Sequence, residues 1–197
     1  MTEREGNSQK GEKMRKIMFV SLMILVLCVC GFSEEKFMVS VVGNYLNPSD
    51  SGYKDIYGSD VFYPELKAGY KLYKGFYIWT GYGFFSKKGM TTELKQEAKS
   101  TQHFLSFGIG YDRKISEKFG YKAELGLLNA SYKEEAMGEK VTGNSIGFGI
   151  EAGILYRVWS GFFVKISAGY LSASDKIEDV EIKLGGFKAG IGVEARF

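Results

Sequence analysis

Hydrophobic and polar residues alternate without a break over the last eleven residues of the chain, 187–197. One face is entirely apolar and consists of Phe187, Ala189, Ile191, Val193, Ala195 and Phe197. The other face consists of Lys188, Gly190, Gly192, Glu194 and Arg196. A period of two is typical of a β-strand with one apolar and one polar face. The pattern therefore predicts that the chain ends in such a strand.

The same alternation recurs in seven further segments, near 37–45, 65–72, 76–85, 105–112, 119–127, 146–157 and 162–170. Pro64 cannot donate a ladder hydrogen bond, so it is expected at the mouth of the second strand. The third segment is apolar on both faces. We assign Ile78 and Tyr82 to its apolar outer face, because Gly81 and Gly83 then share a face with the other glycines. The sequence predicts eight strands in total.

The connections between these segments alternate between short and long. Residues 73–75, 113–118 and 158–161 form short turns, whereas 47–60, 87–101, 133–143 and 172–182 are longer and polar. Antiparallel barrels of the outer membrane have short periplasmic turns and longer external loops. The chain therefore predicts an all-β fold, an eight-stranded antiparallel up-and-down transmembrane β-barrel with both termini on the periplasmic side.

Alternation by itself does not say which face points inward, since a soluble barrel of the lipocalin kind has the same period with its apolar face inside. Glycine is concentrated on the polar face, where it would make room for charged side chains inside a narrow barrel. No assigned outward position carries a charge, and a basic residue there would cost about 2–4 kcal/mol at the membrane midplane. These features favour an apolar face that is exposed to lipid.

Aromatic residues flank the apolar face at both ends, as in the interfacial belts of membrane barrels. The belt at the turn end is predicted to contain Tyr73, Phe76, Tyr111, Phe119, Tyr156, Trp159, Phe162 and Phe197. The belt at the loop end is predicted to contain Tyr45, Phe62, Tyr63, Phe84, Tyr132 and Tyr170.

The polar face then lines the lumen and supplies a network of charges. These residues are Glu65, Lys67, Lys71, Asp112, Lys122, Glu124, Glu151, Arg157, Lys165, Lys188, Glu194 and Arg196. Buried charges must pair or reach water, because an uncompensated one is costly. We expect a lumen plugged by salt bridges; the alternative is a lumen that conducts ions.

The first residues of the chain predict a targeting segment. Met14 precedes two basic residues and an apolar run, 17–30, of only 14 residues, which is short of the ~20 that a membrane-spanning helix needs. This pattern is typical of a signal peptide, and we expect cleavage between Ser33 and Glu34. The predicted domains are therefore 1–33, an extension with the signal peptide, and 34–197, the barrel. The alternatives are a membrane anchor and a lipoprotein that is modified within Leu27-Cys28-Val29-Cys30, although that stretch lacks the small residue expected before the modified cysteine. We expect translation to start at Met14, with Met1 as the alternative.

Composition excludes several classes of chemistry. After residues 1–33 are removed, 21 basic and 20 acidic residues remain of the 26 and 23 in the chain, so no field attracts nucleic acid. One histidine and no cysteine in that part predict no metal site and no cofactor. His103 with Ser106 is a candidate for a lipid A-modifying enzyme. Their spacing, however, puts them on opposite faces of a strand, so we expect no catalytic residues.

The carboxyl-terminal pattern Lys188-x-Gly190-x-x-Val193-x-Ala195-x-Phe197 resembles the assembly signal of the small eight-stranded outer-membrane barrels, the OmpA/OmpX-like superfamily. The resemblance covers about Lys36 to Phe197. It implies integral location in the outer membrane of a Gram-negative-type bacterium, in contact with outer-membrane lipid and lipopolysaccharide. It also implies that Gly190, Val193, Ala195 and Phe197 are read by the barrel-assembly machinery.

Members of that superfamily serve envelope integrity, adhesion or evasion of host defences, and some are enzymes or conduits. We therefore expect a monomeric, non-catalytic barrel that acts through its external loops. We expect the charged stretches 87–99 and 174–181 to be solvated hairpin ends; they are also where an external ligand would bind. A narrow porin-like channel for small solutes and a lipid A-modifying enzyme are the alternatives.

Overall fold

The computed structural model describes residues 35–91, 95–136, 138–177 and 180–197. Its strands are β1 (Phe37–Pro48), β2 (Val61–Tyr73), β3 (Phe76–Met90), β4 (Glu97–Lys114), β5 (Phe119–Ala136), β6 (Glu139–Trp159), β7 (Phe162–Ile177) and β8 (Val180–Arg196). A short helix, α1 (Ser51–Tyr57), connects β1 to β2. Within these ranges no helix is both long and apolar enough to cross a membrane. The predicted signal peptide and its cleavage site between Ser33 and Glu34 lie outside the described residues.

The strands form one closed antiparallel barrel in chain order. The last strand closes it by pairing with the first, so that Val193 of β8 faces Val41 of β1. Closure satisfies the backbone hydrogen bonds of both edge strands, which a lipid environment requires. The predicted eight-stranded up-and-down barrel is confirmed.

Side chains alternate between the outside and the inside along the strands, because successive residues of a strand point to opposite faces. On the outside, Phe107 is 60% exposed and Val193 is 58% exposed. On the inside, Lys165 and Glu194 are each 1% exposed. The apolar face therefore points outward, as predicted. In β3, Ile78, Tyr82 and Phe84 lie on that outward face.

Two aromatic residues lie on the side opposite to the predicted one. Tyr63 and Tyr132 were expected in the outer aromatic belt, but both are buried inside the barrel. The alternation explains the error: in β2, Phe62 points outward, so its neighbour Tyr63 must point inward.

Rows of paired residues climb around the barrel. The row that begins at Phe76, beside a short turn, passes through paired positions on each strand and ends at Tyr45 and Phe62 near the opposite mouth. Such a stagger is what strand tilt in a closed barrel requires. The same row therefore has aromatic residues at both of its ends, one end near each mouth of the barrel.

Three of the four connections predicted as long loops are instead extended hairpins. Lys87 pairs with Ser100, Lys133 pairs with Thr142, and β7 pairs with β8 as far as Ile177. Most residues of these segments are polar, which suits paired strands that stand in water beyond the membrane, and pairing satisfies their backbone groups. The fourth connection keeps its predicted length and contains α1.

Candidate functional site: the filled interior and its external end

Eleven of the twelve predicted lumen charges are joined in one chain of ion pairs. In order along it they are Lys71, Asp112, Arg196, Glu194, Lys122, Glu124, Lys67, Glu65, Lys188, Glu151 and Lys165. These residues come from β2, β4, β5, β6, β7 and β8, so the pairs cross the lumen as well as follow its wall. Five acids and six bases leave the network with one excess positive charge.

Glu124 and Glu151 are the centre of the network, and each contacts several lysines. Nζ of Lys67 lies 2.6 Å from Oε2 of Glu124 and 3.0 Å from Oε2 of Glu151. Nζ of Lys165 lies 2.6 Å from Oε1 of Glu151. The Tyr77 hydroxyl donates to Oε1 of Glu124 at 2.8 Å. Multiple partners compensate charges that burial would otherwise make costly.

The end of the network near the short turns is built around Arg196. Its Nη1 lies 2.7 Å from Oδ2 of Asp112, and its Nε donates to Oε1 of Glu194 at 2.7 Å. Its guanidinium also stacks 4.4 Å from the ring centre of Phe163. Arg157 is the twelfth predicted lumen charge; it lies 5.8 Å from the same ring and forms no ion pair with any described residue.

The half of the interior nearer the external mouth is apolar, which the sequence reasoning missed. Its buried members are Leu46, Val61, Tyr63, Phe85, Phe104, Leu128, Ala130, Tyr132, Leu171, Ala173 and Leu184. We call this set the apolar layer. The Tyr63 ring centre lies 5.7 Å from that of Phe104 and 6.2 Å from that of Phe85. Pairs of successive apolar residues, such as Phe84 with Phe85, were the available signal, because one member of each pair must point inward.

Several inward glycines make room for aromatic rings. A Cβ on Gly110 would lie 2.2 Å from Cζ of Tyr77, and one on Gly126 would lie 2.8 Å from Cζ2 of Trp79. Only some of the inward glycines face a charged stem, as Gly81 faces Lys67. The predicted reason for the glycines, space for charged side chains, is therefore incomplete.

Helix α1 covers the external mouth beside the apolar layer. Asp50 caps it by accepting from the backbone N–H of Tyr53 at 2.8 Å, and also accepts from the N–H of Lys183 on β8 at 3.0 Å. Tyr53 packs against the apolar layer. A Cβ on Gly89 of β3 would lie 2.2 Å from the carbonyl oxygen of Ile56, so glycine there permits the close approach of the helix.

The hydroxyl group of Tyr57 in α1 meets a partly buried carboxyl. Tyr57 donates a hydrogen bond to Glu134, near the external end of β5 and beyond the apolar wall. Burial raises the pKa of Glu134 above its ordinary value. Burial also raises the pKa of Tyr53 to about 12, and the pKa of Tyr57 is raised further. Both tyrosines therefore stay neutral at physiological pH.

Little free volume remains between the charges. The interior cavity beside Glu65, Glu124 and Glu151 measures about 10 Å³. A second, beside Lys122 and Glu194, has the same volume. A volume of this size is at the lower limit for one water molecule.

His103 lies on the outer surface of the barrel. Its Nδ1 is 2.7 Å from the Tyr82 hydroxyl, and its ring stacks with those of Tyr82 and Phe84. Ser106 is buried on the opposite face of β4. The structure therefore does not bring the two candidate catalytic residues together. Among the described residues, no group of three or more His, Cys, Asp or Glu is placed to hold a metal ion.

The predicted assembly signal lies at the seam of the barrel. Gly190, Val193 and Ala195 belong to β8, which pairs with β1, and Phe197 follows the last residue of the strand. Val193 points outward, whereas a Cβ on Gly190 would meet the Asn44 side chain inside.

The profile of a known family, the outer membrane protein beta-barrel domain, matches residues 19–197. The chain belongs to this family. It is therefore an integral outer-membrane protein of the Gram-negative type, with its apolar wall in contact with membrane lipid. No curated protein sequence matches the chain.

Solved structures share the fold at low sequence identity. The chain is similar to the Neisserial surface protein A (NspA), with 19% identity and a TM-score of 0.56, over 82% of this chain and 97% of that one. It is similar to the outer membrane protein OprG from Pseudomonas aeruginosa, with 14% identity and a TM-score of 0.62, over 82% and 96%. It is also similar to the attachment invasion locus protein Ail of Yersinia pestis, solved in complex with the heparin analogue sucrose octasulfate, with 13% identity and a TM-score of 0.50, over 82% and 97%.

Proposed function

We propose that this chain is a non-catalytic, monomeric outer-membrane barrel with a plugged lumen, which supports envelope integrity and contacts external surfaces through its extended hairpins. The continuous network of buried ion pairs carries this proposal. An ion that crossed the barrel would have to displace pairs as close as Lys67 with Glu124, at 2.6 Å. It would then have to cross the apolar layer around Tyr63, whose apolar side chains do not replace its lost hydration.

Planar-bilayer recording of the purified, folded barrel tests the plugged lumen. We expect no large, steady conductance steps. Steps of that kind, or swelling of liposomes in small sugars, would instead support the narrow channel for small solutes. A folded control is essential, and the shift in gel mobility between unheated and boiled samples supplies it.

The proposed absence of catalysis rests on the separation of His103 from Ser106 and on the contact of His103 with Tyr82. Lipid A from cells that express the chain is expected to keep its mass. A changed mass that returns to normal in His103→Ala would establish the alternative, a lipid A-modifying enzyme. Deletion of the gene is expected to raise sensitivity to detergents or to lower adhesion.

We also propose that the barrel-assembly machinery reads Gly190, Val193, Ala195 and Phe197 during biogenesis. The position of the first three in the closing strand, at the seam with β1, supports this role. Truncation of Phe197 is expected to lower the amount of heat-modifiable barrel in the outer membrane. Unchanged assembly of the truncated chain would argue against it.

A further inference from the structure

Two lysines face each other directly on the outer surface of the barrel. Lys88 of β3 is the cross-strand partner of Lys99 of β4, and both side chains are exposed. In the part of the chain that the structure describes, neither forms an ion pair. Like charges in directly opposed positions destabilise a sheet. An anion bound between the two ammonium groups would remove this repulsion.

A third lysine on the next strand extends the positive surface. Lys133 of β5 is the cross-strand partner of Thr101 on β4. Glu135, two residues further along β5, is the cross-strand partner of Lys99. Glu135 forms an ion pair with Lys133. Three lysines and one carboxylate leave the group with two excess positive charges. Hydroxyl groups lie one outward position nearer the membrane, where Ser86 and Thr101 are 3.1 Å apart.

These lysines lie just beyond the apolar wall. On the outward face of β3, Phe84 is followed by Ser86 and then by Lys88; on β4, His103 is followed by Thr101 and then by Lys99. Four residues of a strand that rises about 3.3 Å per residue and tilts by about 40° span roughly 10 Å along the membrane normal. Long lysine stems can place their ammonium groups at the level of the lipid headgroups.

We propose that Lys88, Lys99 and Lys133 bind the phosphorylated headgroup of an outer-leaflet glycolipid, whose acyl chains lie on the apolar wall below. This inference rests on the membrane orientation and on the lipopolysaccharide contact that the family resemblance implies, but not on the plugged lumen. A lipid is favoured over a soluble anionic polymer because the lysines point sideways from the barrel. Directly beneath them, Phe84 and Leu105 are exposed on the same face. A ligand that carries both phosphates and acyl chains matches both parts of this surface.

Binding of bisphosphorylated lipid A to the purified, folded barrel in detergent tests the inference. The decisive variant is K88Q/K99Q. Each basic residue near an anionic lipid surface adds to the binding free energy, so the loss of two lysines is expected to weaken binding about 30-fold. The charge-preserving variant K88R/K99R is expected to bind as the unmodified protein does. Lipid A from which the phosphates have been removed is expected to bind weakly to all of these proteins.

The barrel offers a matched control on its other side. Lys176 of β7 and Lys183 of β8 are exposed on neighbouring strands, but Lys176 faces Glu181 and Lys183 faces Ser174. K176Q/K183Q therefore removes two lysines without removing an opposed pair, and binding is expected to change less than about threefold. Should K88Q/K99Q fail to show the gel mobility of a folded barrel, the single variants K88Q and K99Q replace it, each with about a fivefold loss expected.

Equal binding by K88Q/K99Q and K176Q/K183Q would overturn the inference, as would equal binding of phosphorylated and dephosphorylated lipid A. Lysine-dependent binding of a sulfated polysaccharide without binding of lipid A would assign the surface to a soluble partner and also overturn it. None of these outcomes bears on ion conductance. The glycolipid site and the plugged lumen are therefore tested independently of each other.

Discussion

Lys67 and Glu124 form an ion pair of 2.6 Å although their strands, β2 and β5, are not neighbours in the barrel. The pair therefore crosses the lumen and ties opposite walls together. Both side chains are almost fully buried, at 5% and 3% exposure. A buried pair of this kind makes removal of one partner costly, because the other charge stays behind in a poorly hydrated site.

Glu124→Ala is accordingly expected to lower the free energy of unfolding by about 3–5 kcal/mol. The substitution leaves Lys67 with one acceptor fewer and removes the acceptor of the Tyr77 hydroxyl. Urea unfolding of the barrel in lipid vesicles measures the loss. Lys133→Ala is the control, because the side chains of Lys133 and its ion-pair partner Glu135 are each 39% exposed. That pair should contribute less than about 1 kcal/mol to the free energy of unfolding. Similar losses in the two variants would contradict a dry interior network.

Tyr63 tests whether the apolar layer is a packed core. Its ring is fully buried between Phe85 and Phe104, so Tyr63→Ala is expected to cost about 3–5 kcal/mol of unfolding free energy. The Tyr63 hydroxyl has no hydrogen-bond partner among the described residues. Tyr63→Phe is therefore expected to change stability by less than about 1 kcal/mol. A large loss in the phenylalanine variant, measured by the same unfolding titration, would mean that the hydroxyl has a structural role.

Gly110 tests the need for glycine beneath the aromatic rings. A Cβ there would lie 2.2 Å from the Tyr77 ring and 2.5 Å from its hydroxyl, so Gly110→Ala must displace the donor to Glu124. Overpacking of this kind typically costs about 1–3 kcal/mol. Gly52→Ala in α1 is the control, since its Cβ would meet only the Asp50 carboxylate, at 3.4 Å. The fraction that folds into vesicles, read from gel mobility, should fall for Gly110→Ala and not for Gly52→Ala.

The docking of α1 is expected to depend on pH through Glu134. Burial raises the pKa of this carboxyl above 4.5 in the folded protein. The folded state therefore binds the proton more tightly, and this contribution to stability is full below pH 4.5 and is lost as the pH rises through the raised pKa. Hydrogen-exchange protection of the α1 amides should decline over that range, and Glu134→Gln should abolish the decline.

Asp60, at the same mouth of the barrel, has a pKa shifted in the opposite direction to that of Glu134. The hydrogen bond that it accepts from Tyr45 lowers the pKa of Asp60 below its ordinary 3.8. Its contribution is therefore present above pH 3.8 and is lost as the pH falls through the lowered pKa, the opposite sign to Glu134. A decline in α1 protection that persists in Glu134→Gln would show that another group controls the helix.

The strands, their two faces and the charged character of the lumen were predictable because alternation is a local property. Residues two apart in a strand share a face whatever the rest of the chain does. The order of residues in β8 is therefore enough to put Val193 and Glu194 on opposite faces, and the cost of a charge in lipid then places Glu194 inside. The same rule, applied to every aromatic residue, places Tyr63 and Tyr132 inside.

The extent of the strands was harder to predict. Polar segments such as 87–101 carry no apolar face, so periodicity contains no signal that separates a solvated hairpin from a loop. Pairing of Lys87 with Ser100 depends on the partner strand continuing in register. That is a property of two segments, and neither segment reveals it separately.

An eight-stranded outer-membrane barrel with an apolar wall and ionic groups inside could be predicted from residue order, because side-chain alternation and the cost of charge in lipid act on each strand alone. The folded barrel was needed to show which charges meet, that an apolar layer occupies the half of the lumen nearer the external mouth, and that Lys88 stands opposite Lys99. Those relationships depend on strand register and on the stagger with which the barrel closes, and both are set by all eight strands together.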